Sequence, residues 1–394
     1  MASVLVIYKE FPASTVRHAG GKAVFRAIEF LHRQGHRVSL VTRVRAAERP
    51  LLEQTRYLYE RVYDVPHHTA LPGSRPLAWV RSYLALRRAA RLALREVQPD
   101  FVHVEVTQTA LTVLGLRRPF TSFRPLDVNW FLLRQQADRA RGLRRALLHF
   151  ASCLLHRVEA FVCHRYDLIA TISEGDRRLL APDCGALPIT ILPLAPSFAP
   201  ESDVPPAAPP GANVLFVGAM YRAFNVQGVL WFLDQVWPRV LAQVSDARFY
   251  TVGYNPPPEV VSRHDGEHVF VVGFVESLAP WYRAAIVTVS PLLVAGGLLQ
   301  KVLDAFAMSV PVVATSVSNH GVGATDGEHL LLADAPEAFA DAVVMLLRDP
   351  VRCARLAEAA LRFACEWYDL DAALHRWELL WMAALSEETP GEEL

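Results

Sequence analysis

Lys301 lies in the stretch PLLVAGGLLQKVLDAFAMSVPVVAT, shortly after the pair Gly296 and Gly297 and three residues before Asp304. A strand, a glycine turn, a cation and a helix start are the parts of a diphosphate cradle. Glycines let backbone N–H groups approach oxyanions, the helix N-terminus adds about half a positive charge, and the ammonium supplies a full one. The choice of cation sharpens this reading. Among 40 Lys and Arg, the only lysines are Lys9, Lys22 and Lys301. In so arginine-rich a chain, a lysine suggests a place that wants a compact ammonium rather than a planar fork. The same short pattern also fits a surface lysine on the first turn of an ordinary helix.

Such a cradle needs a strand and a helix to hold it, and the chain offers many of both. SVLVIY reads as a short buried parallel strand, GGKAVFRAIEFLHRQG as an amphipathic helix with a glycine stop, and HRVSLVT as the next strand. This is a β-α-β unit of the kind that opens a doubly wound sheet. DFVHVEV and DLIATIS continue the series, and the proline-rich LPLAPSFAPESDVPPAAPPG then breaks it. A second alternating series follows: NVLFVG, the helix VQGVLWFLDQVWPRVLAQV, then RFYTVG, VFVVGFV, VTVSPL and PVVAT. A length of 394 residues exceeds what one core usually holds. The expected fold is therefore α/β, with two doubly wound Rossmann-like domains over 1–196 and 212–371, a linker over 197–211 and a polar, disordered tail over 387–394. A dinucleotide enzyme fits poorly. It would want a G-x-G-x-x-G turn and an acid ending the second strand, whereas that strand ends in Thr42 and Arg43.

The composition, 52% apolar and 20% charged, is that of a soluble globular protein. Its net charge of zero conceals a split: residues 1–200 hold 29 Lys and Arg against 16 Asp and Glu, and residues 201–394 hold 11 against 24. Opposite fields of this kind can draw two halves together and direct acidic partners to the first. The arginines lack interleaved stacking aromatics, so no nucleic-acid partner is expected. Cys153, Cys163, Cys184, Cys353 and Cys365 show no metal or redox spacing and read as reduced, mostly buried thiols of a cytoplasmic protein. MASVLVIYKEF lacks the basic leader and cleavage site of a signal peptide, and IVTVSPLLVAGGLL is too short and glycine-broken to span a bilayer. RARGLRRALLHFASCLLHR is basic and amphipathic, which suits either peripheral contact with the inner membrane face or a helix packed on its own domain. His67, His68 and His320 have no ligand-spaced partners, and His103 beside Glu105 reads as a satisfied, partly buried histidine, so no metal is expected.

Longer strings carry a resemblance. HRVEAFVCHRYDLIATISEGD, LFVGAMYRAFNVQGVLWFLDQVWPRV, GGLLQKVLDAFAMSVPVVAT and GVGATDGEHLLLADAPEAFADAVVMLLRDP resemble successive segments of the retaining, family-4-like nucleotide-sugar glycosyltransferases of the twin-Rossmann (GT-B) fold. The opening FP…GGKAVFRAIEFLHRQGHRVSLVT resembles that family's first β-α-β unit, so the likeness runs nearly the full length. It implies two Rossmann-like domains facing across a cleft, with a C-terminal helix near 372–386 returning to the first domain.

The implied donor site lies on the second domain. Gly296, Gly297 and Lys301 fall on its diphosphate turn, Asp304 on its ribose-binding acid, Gly218 on a backbone approach to the donor, and Phe274 and Val275 on its base contacts. Helix-surface acid, tight turn and core packing are the plainer readings of Asp304, Gly218 and the last pair. Gly20, Gly21, Lys22 and Glu174 fall on the cleft side that meets sugar phosphates or acceptor; exposed helix-start residues are the alternative for Lys22 and Glu174. Four departures stand out. Gly296 replaces a frequent acid eight positions before Asp304, Leu126 a frequent histidine and Leu299 an arginine, and Asp304 is one methylene shorter than the usual glutamate. Asp127 and Asn129 remain as polar candidates near Leu126, with a local turn or helix cap as the alternative.

The implied activity is transfer of a sugar from a nucleoside diphosphate to an alcohol acceptor (carbohydrate, lipid-linked or small-molecule) with retention, without metal or cofactor. A non-catalytic nucleotide-sugar-binding scaffold, and a hydrolase or epimerase of the nucleotide sugar, are the alternatives.

Overall fold

The computed structural model describes residues 1–16, 19–66, 75–116, 118–197 and 204–387, and their side chains except at 66 and 75–79. His67, His68, part of the expected linker (198–203) and the tail from 388 lie outside the described residues. Two compact units emerge: one runs to Leu194 and resumes at Leu370, the other spans Ala195–Asp369.

The first unit is built on parallel strands β1 (Ser3–Ile7), β2 (Arg37–Val44), β3 (Arg61–Pro66), β4 (Phe101–Glu105), β5 (Phe120–Arg124), β6 (Leu168–Thr171) and β7 (Ile189–Ile191). Their order is β3-β2-β1-β4-β5-β6-β7. The chain thus winds outward from β1 on one side, then returns to β4 and winds outward on the other. Between β1 and β4 lies a topological switch point, where loops at the carboxyl ends diverge and leave a crevice. β1 and β4 are buried at every residue, as helices on both faces of a parallel sheet require. The Ala19–Arg33 helix follows β1 and turns Val24, Phe25, Ile28 and Leu31 inward at helical spacing.

The last helix, Leu370–Glu387, belongs to this first unit. It buries Leu370, Ala373, Leu374, Trp377 and Trp381, an apolar stripe of helical period. Trp381 stacks on Phe101 with ring centroids 4.5 Å apart, and His36 meets Glu378 at 2.7 Å.

The second unit repeats the plan with β8 (Asn213–Val217), β9 (Arg248–Val252), β10 (Val269–Gly273), β11 (Val287–Ser290), β12 (Val312–Ala314) and β13 (Leu331–Leu332), all parallel and ordered β10-β9-β8-β11-β12-β13. Phe216, Phe232, Trp237, Phe249 and Phe339 centre its core. The expected long helix after β8 is interrupted by a π-type stretch at Phe232–Val236, just before Pro238, which has no N–H to continue the ladder. Residues 204–211 are held against this unit: Ala207 N donates to Pro280 O at 2.9 Å and Ala208 is buried. All five cysteines are free thiols, and Cys153 and Cys365 are exposed on helices rather than buried.

Candidate active site

In the second unit β8 and β11 are neighbours across the switch point, and the loop after each leads into a helix. These helices are Ala223–Trp231 and Gln300–Ala307, and neither start carries a side-chain cap. Uncapped first-turn amides are a ready anion site. Lys301 joins the two helices. Its Nζ donates to Asn225 Oδ1 at 2.9 Å and sits 4.0 Å from the centre of the Phe216 ring, while Asn225 Nδ2 donates to Ala219 O at 2.9 Å. The lysine is therefore no surface residue; it is 8% exposed. Its partners are a neutral amide and an aromatic face. Among the described salt bridges none involves it, and burial, aided by the nearby positive Arg222, pushes its ammonium well below the ordinary lysine range. A buried cation so poorly compensated gains most from an arriving anion.

Glycines bring the backbone into this centre. A Cβ at Gly218 would stand 2.9 Å from Phe216 and 3.0 Å from Asn225. Gly297 has φ +62°, a left-handed conformation, and its carbonyl oxygen lies where a Cβ on Gly321 would come within 1.8 Å. Gly253 packs on the Gly218 carbonyl in the same way. Backbone cannot yield as a side-chain tip can. Gly321→Ala is therefore expected to displace the Gly296–Gly297 turn and cost about 1–3 kcal/mol. Thermal unfolding and nucleotide titration of the variant check this; a stable variant with full affinity would show the turn to be dispensable.

Phe274 and Val275 follow β10 at the sheet edge. Phe274 is 54% exposed and meets Tyr254, which follows β9, edge-to-face at 6.1 Å; Val275 is half-buried. Met220 N donates to Tyr254 O, tying this aromatic edge to the Gly218 loop. Asp304 is buried, and its Oδ1 accepts from Ser197 N at 2.7 Å and Gln300 Nε2 at 2.8 Å. Its visible work is to hold the entry of the chain into this unit.

In the first unit the expected residues sit at carboxyl ends of strands: Gly20, Gly21 and Lys22 after β1, Asp127 and Asn129 after β5, Glu174 after β6. Gly20 lets the Ala19–Arg33 helix approach Leu126, whose Cδ1 would lie 2.5 Å from a Cβ there. Gly21 is on the helix's buried face, and Lys22 is half-buried. Asn129 Nδ2 donates to the buried Glu159 at 2.7 Å, so this amide fastens two helices together. Glu174 receives Arg177 and Arg178 of its own helix at 2.6 and 2.9 Å; the Arg177 hydrogen bond, first among several causes, holds its carboxyl below the usual range. That is the helix-start acid of the plainer reading.

Asp176, two residues on, escaped the sequence reading. It is buried, and its Oδ2 has no hydrogen-bond partner. Burial, with a contribution from Asp127, pushes its carboxyl up to about 7. A carboxyl raised in the folded state adds stability at low pH that is lost as pH rises through the folded value. Asp176→Asn should therefore stabilise the protein above about pH 7 by a few kcal/mol, with the difference shrinking toward about pH 4. Unfolding free energies of both proteins across that range check it; a pH-independent difference would contradict it.

Arg222 and Asn225 were likewise unsignalled, because their part in the cradle depends on tertiary approach of two helices. Beneath the first unit's carboxyl edge runs a buried chain. Trp377 Nε1 donates to Ser122 Oγ at 3.3 Å, His103 bonds Ser122 and Glu105, and Arg124 Nη2 and Nε donate to Glu105 at 2.6 and 3.0 Å. His103 is thus a satisfied core histidine, wholly buried and held neutral by that burial. Among the described residues no three His, Cys, Asp or Glu side chains cluster as metal ligands.

Comparison with known proteins agrees with this architecture. Residues 211–349 match the family model described as Glycosyl transferases group 1. An uncharacterized 44.6 kDa protein in the cps region of Klebsiella pneumoniae is 24% identical over 390 residues, covering 94% of this chain and 97% of that one. The fold is similar to sucrose-phosphate synthase of Thermosynechococcus elongatus, with TM-score 0.75, 16% identity, and 98% and 100% of the two chains covered. HepE of Anabaena, solved with UDP, gives TM-score 0.67 at 14% identity, covering 97% and 100%. A group 1 glycosyltransferase model thus matches most of the second Rossmann-like unit, and the fold of the chain is similar to that of solved GT-B glycosyltransferases.

Proposed function

We propose that the enzyme transfers a sugar from a nucleoside diphosphate to an alcohol acceptor with retention of configuration. The observation that carries the donor assignment is Lys301, a buried ammonium with no carboxylate partner among the described residues, set where two uncapped helices converge. The diphosphate is assigned to Lys301, Arg222 and the amides around Gly218 and Gly296–Gly297. The base is assigned to the edge formed by Phe274 and Tyr254. HepE was solved with UDP and with UDP-glucose, which makes uracil the first base to test.

As the bond from the anomeric carbon to the diphosphate oxygen breaks, negative charge grows on that oxygen. Fixed positive groups stabilise it more in the transition state than in the ground state. The acceptor oxygen then bonds the anomeric carbon from the same face, and its proton passes to the departing phosphate oxygen. No protein nucleophile or metal is assigned, so Leu126 in place of a histidine does not remove the chemistry. The acceptor is assigned to the carboxyl edge of the first unit's sheet, where Gly20, Lys22 and Asp127 lie. Incubation of nucleotide sugars with and without an alcohol acceptor, read by proton NMR, tests the reading. Expected is an acceptor-dependent product with the donor's anomeric configuration; inversion, or hydrolysis indifferent to acceptor, would overturn it.

A further inference from the structure

The helix Gly142–Cys163 is amphipathic the wrong way round for a helix packed on its own unit. Its inward side carries polar groups: Ser152 Oγ donates to Trp130 O at 2.8 Å, His156 meets Asp183 at 2.6 Å, and Glu159 takes Asn129. Its outward side carries Leu143, Leu147, Phe150, Leu154, Val158 and Phe161, all between 36% and 76% exposed. Their spacings of four, three, four, four and three residues lay them in one stripe along about 27 Å of helix. An ordinary surface helix shows the reverse pattern.

Charge says what covers the stripe. Arg144, Arg145 and Arg157 are exposed along the same helix, and Arg165 lies over the Phe161 ring at 4.6 Å. Glu159, the helix's one acid, is turned inward and buried. At the C-terminal end of the stripe an open pocket of about 660 Å³ is lined by Phe161, His164, Arg165 and Arg118, among others. An apolar stripe bordered by arginines, with no outward acid of its own, matches acyl chains under anionic headgroups. By length and composition the helix could cross a bilayer. Its inward bonds to Trp130, Asn129 and Asp183 instead fasten it to its unit, which suits a helix lying in the interface.

We infer that the first unit docks on an anionic lipid surface through the outward face of the Gly142–Cys163 helix. The test is co-sedimentation of the full chain with phosphatidylglycerol–phosphatidylcholine vesicles and with pure phosphatidylcholine vesicles, over a salt series. Expected is binding to the anionic vesicles that weakens with salt, as headgroup attraction is screened. Because the stripe is already exposed, Leu147→Gln/Phe150→Gln/Leu154→Gln should keep the wild-type melting temperature and soluble activity while losing at least about tenfold in vesicle affinity. Arg144→Gln/Arg157→Gln should lose the preference for anionic lipid. Absence of wild-type binding would overturn the inference, as would full binding by the triple variant. So would a stripe that only holds two copies together, seen as a dimer dispersed by the triple variant without vesicle binding.

Discussion

Arg124→Leu is expected to cost the first unit about 3–5 kcal/mol of stability, the range seen when one partner of a buried ion pair is removed. Glu105 and Arg124 have no exposed surface, and the guanidinium grips the carboxylate with two hydrogen bonds. Burial works against ionisation of Glu105, but Arg124 and then His103 overcome it and hold the carboxyl below its usual range. With Arg124 gone, the carboxylate keeps only neutral His103, and the favourable cation is replaced by a shape that cannot donate. Against a total stability of about 5–15 kcal/mol, such a loss approaches unfolding. The sign with pH follows. A depressed carboxyl contributes stability above its unfolded value and loses it as pH falls, so the penalty of Arg124→Leu should shrink in acid, where Glu105 can protonate. Arg124→Leu/Glu105→Leu should recover much of the loss, since no buried charge is left. Denaturant unfolding followed through Trp377 and Trp381, which report on this unit, checks both variants. A loss below about 1 kcal/mol in the single variant would mean water or rearrangement satisfies Glu105.

Lys301→Met should move stability and binding in opposite directions. The wild-type ammonium is buried against Asn225 and Phe216, and its depressed pKa states that the charged form is disfavoured there. A thioether side chain of similar reach removes that burden, so the free variant should melt at or above the wild-type temperature. A lysine depressed in the folded state lowers stability below its folded value, and the variant's advantage should therefore grow as pH falls. Nucleoside diphosphate affinity should meanwhile fall about tenfold to hundredfold, the worth of one charge-assisted contact of about 1.5–3 kcal/mol. Lys301→Arg should restore part of the affinity, because a planar fork fits a point-charge niche poorly. Sites that trade stability for function behave in this way. A variant that loses stability along with affinity would instead make Lys301 a packing residue.

Much of the fold is legible because buried parallel strands announce themselves as apolar runs. β1, β2, β4, β6 and β8 to β12 all sit on such runs. β3 does not, because RVYDVP is an edge strand carrying Arg61 and Asp64, which face partners rather than core. β5 hides for another reason: Ser122 and Arg124 interrupt FTSFR, and only the His103–Glu105–Arg124 network makes those polar residues at home in a core. Register pairs Glu105 with Arg124 across β4 and β5, a match no single strand can show. The donor cradle is legible as a glycine turn before a lysine, but its depth is not. Burial of Lys301 depends on the Ala223–Trp231 helix reaching it with Asn225, residues far apart in the chain. The hydrogen bonds from Ser197 and Gln300 to Asp304 Oδ1 are likewise invisible in the sequence, because one of them comes from a backbone amide 107 residues away.

Titration calorimetry of nucleoside diphosphates into wild type and Lys301→Met addresses the central claim most directly. It should be run at about pH 7 and about pH 9 in buffers of differing ionisation heat, since an ordinary lysine stays charged across that range. A lysine whose pKa burial depresses should have it raised again by an arriving diphosphate, so that binding draws in protons wherever the free side chain has begun to lose its own. The predicted result is proton uptake by wild type that increases at the higher pH, its absence in Lys301→Met, and a tenfold to hundredfold weaker variant. Equal affinities for the two proteins, with no proton uptake at either pH, would place the diphosphate elsewhere and contradict the account.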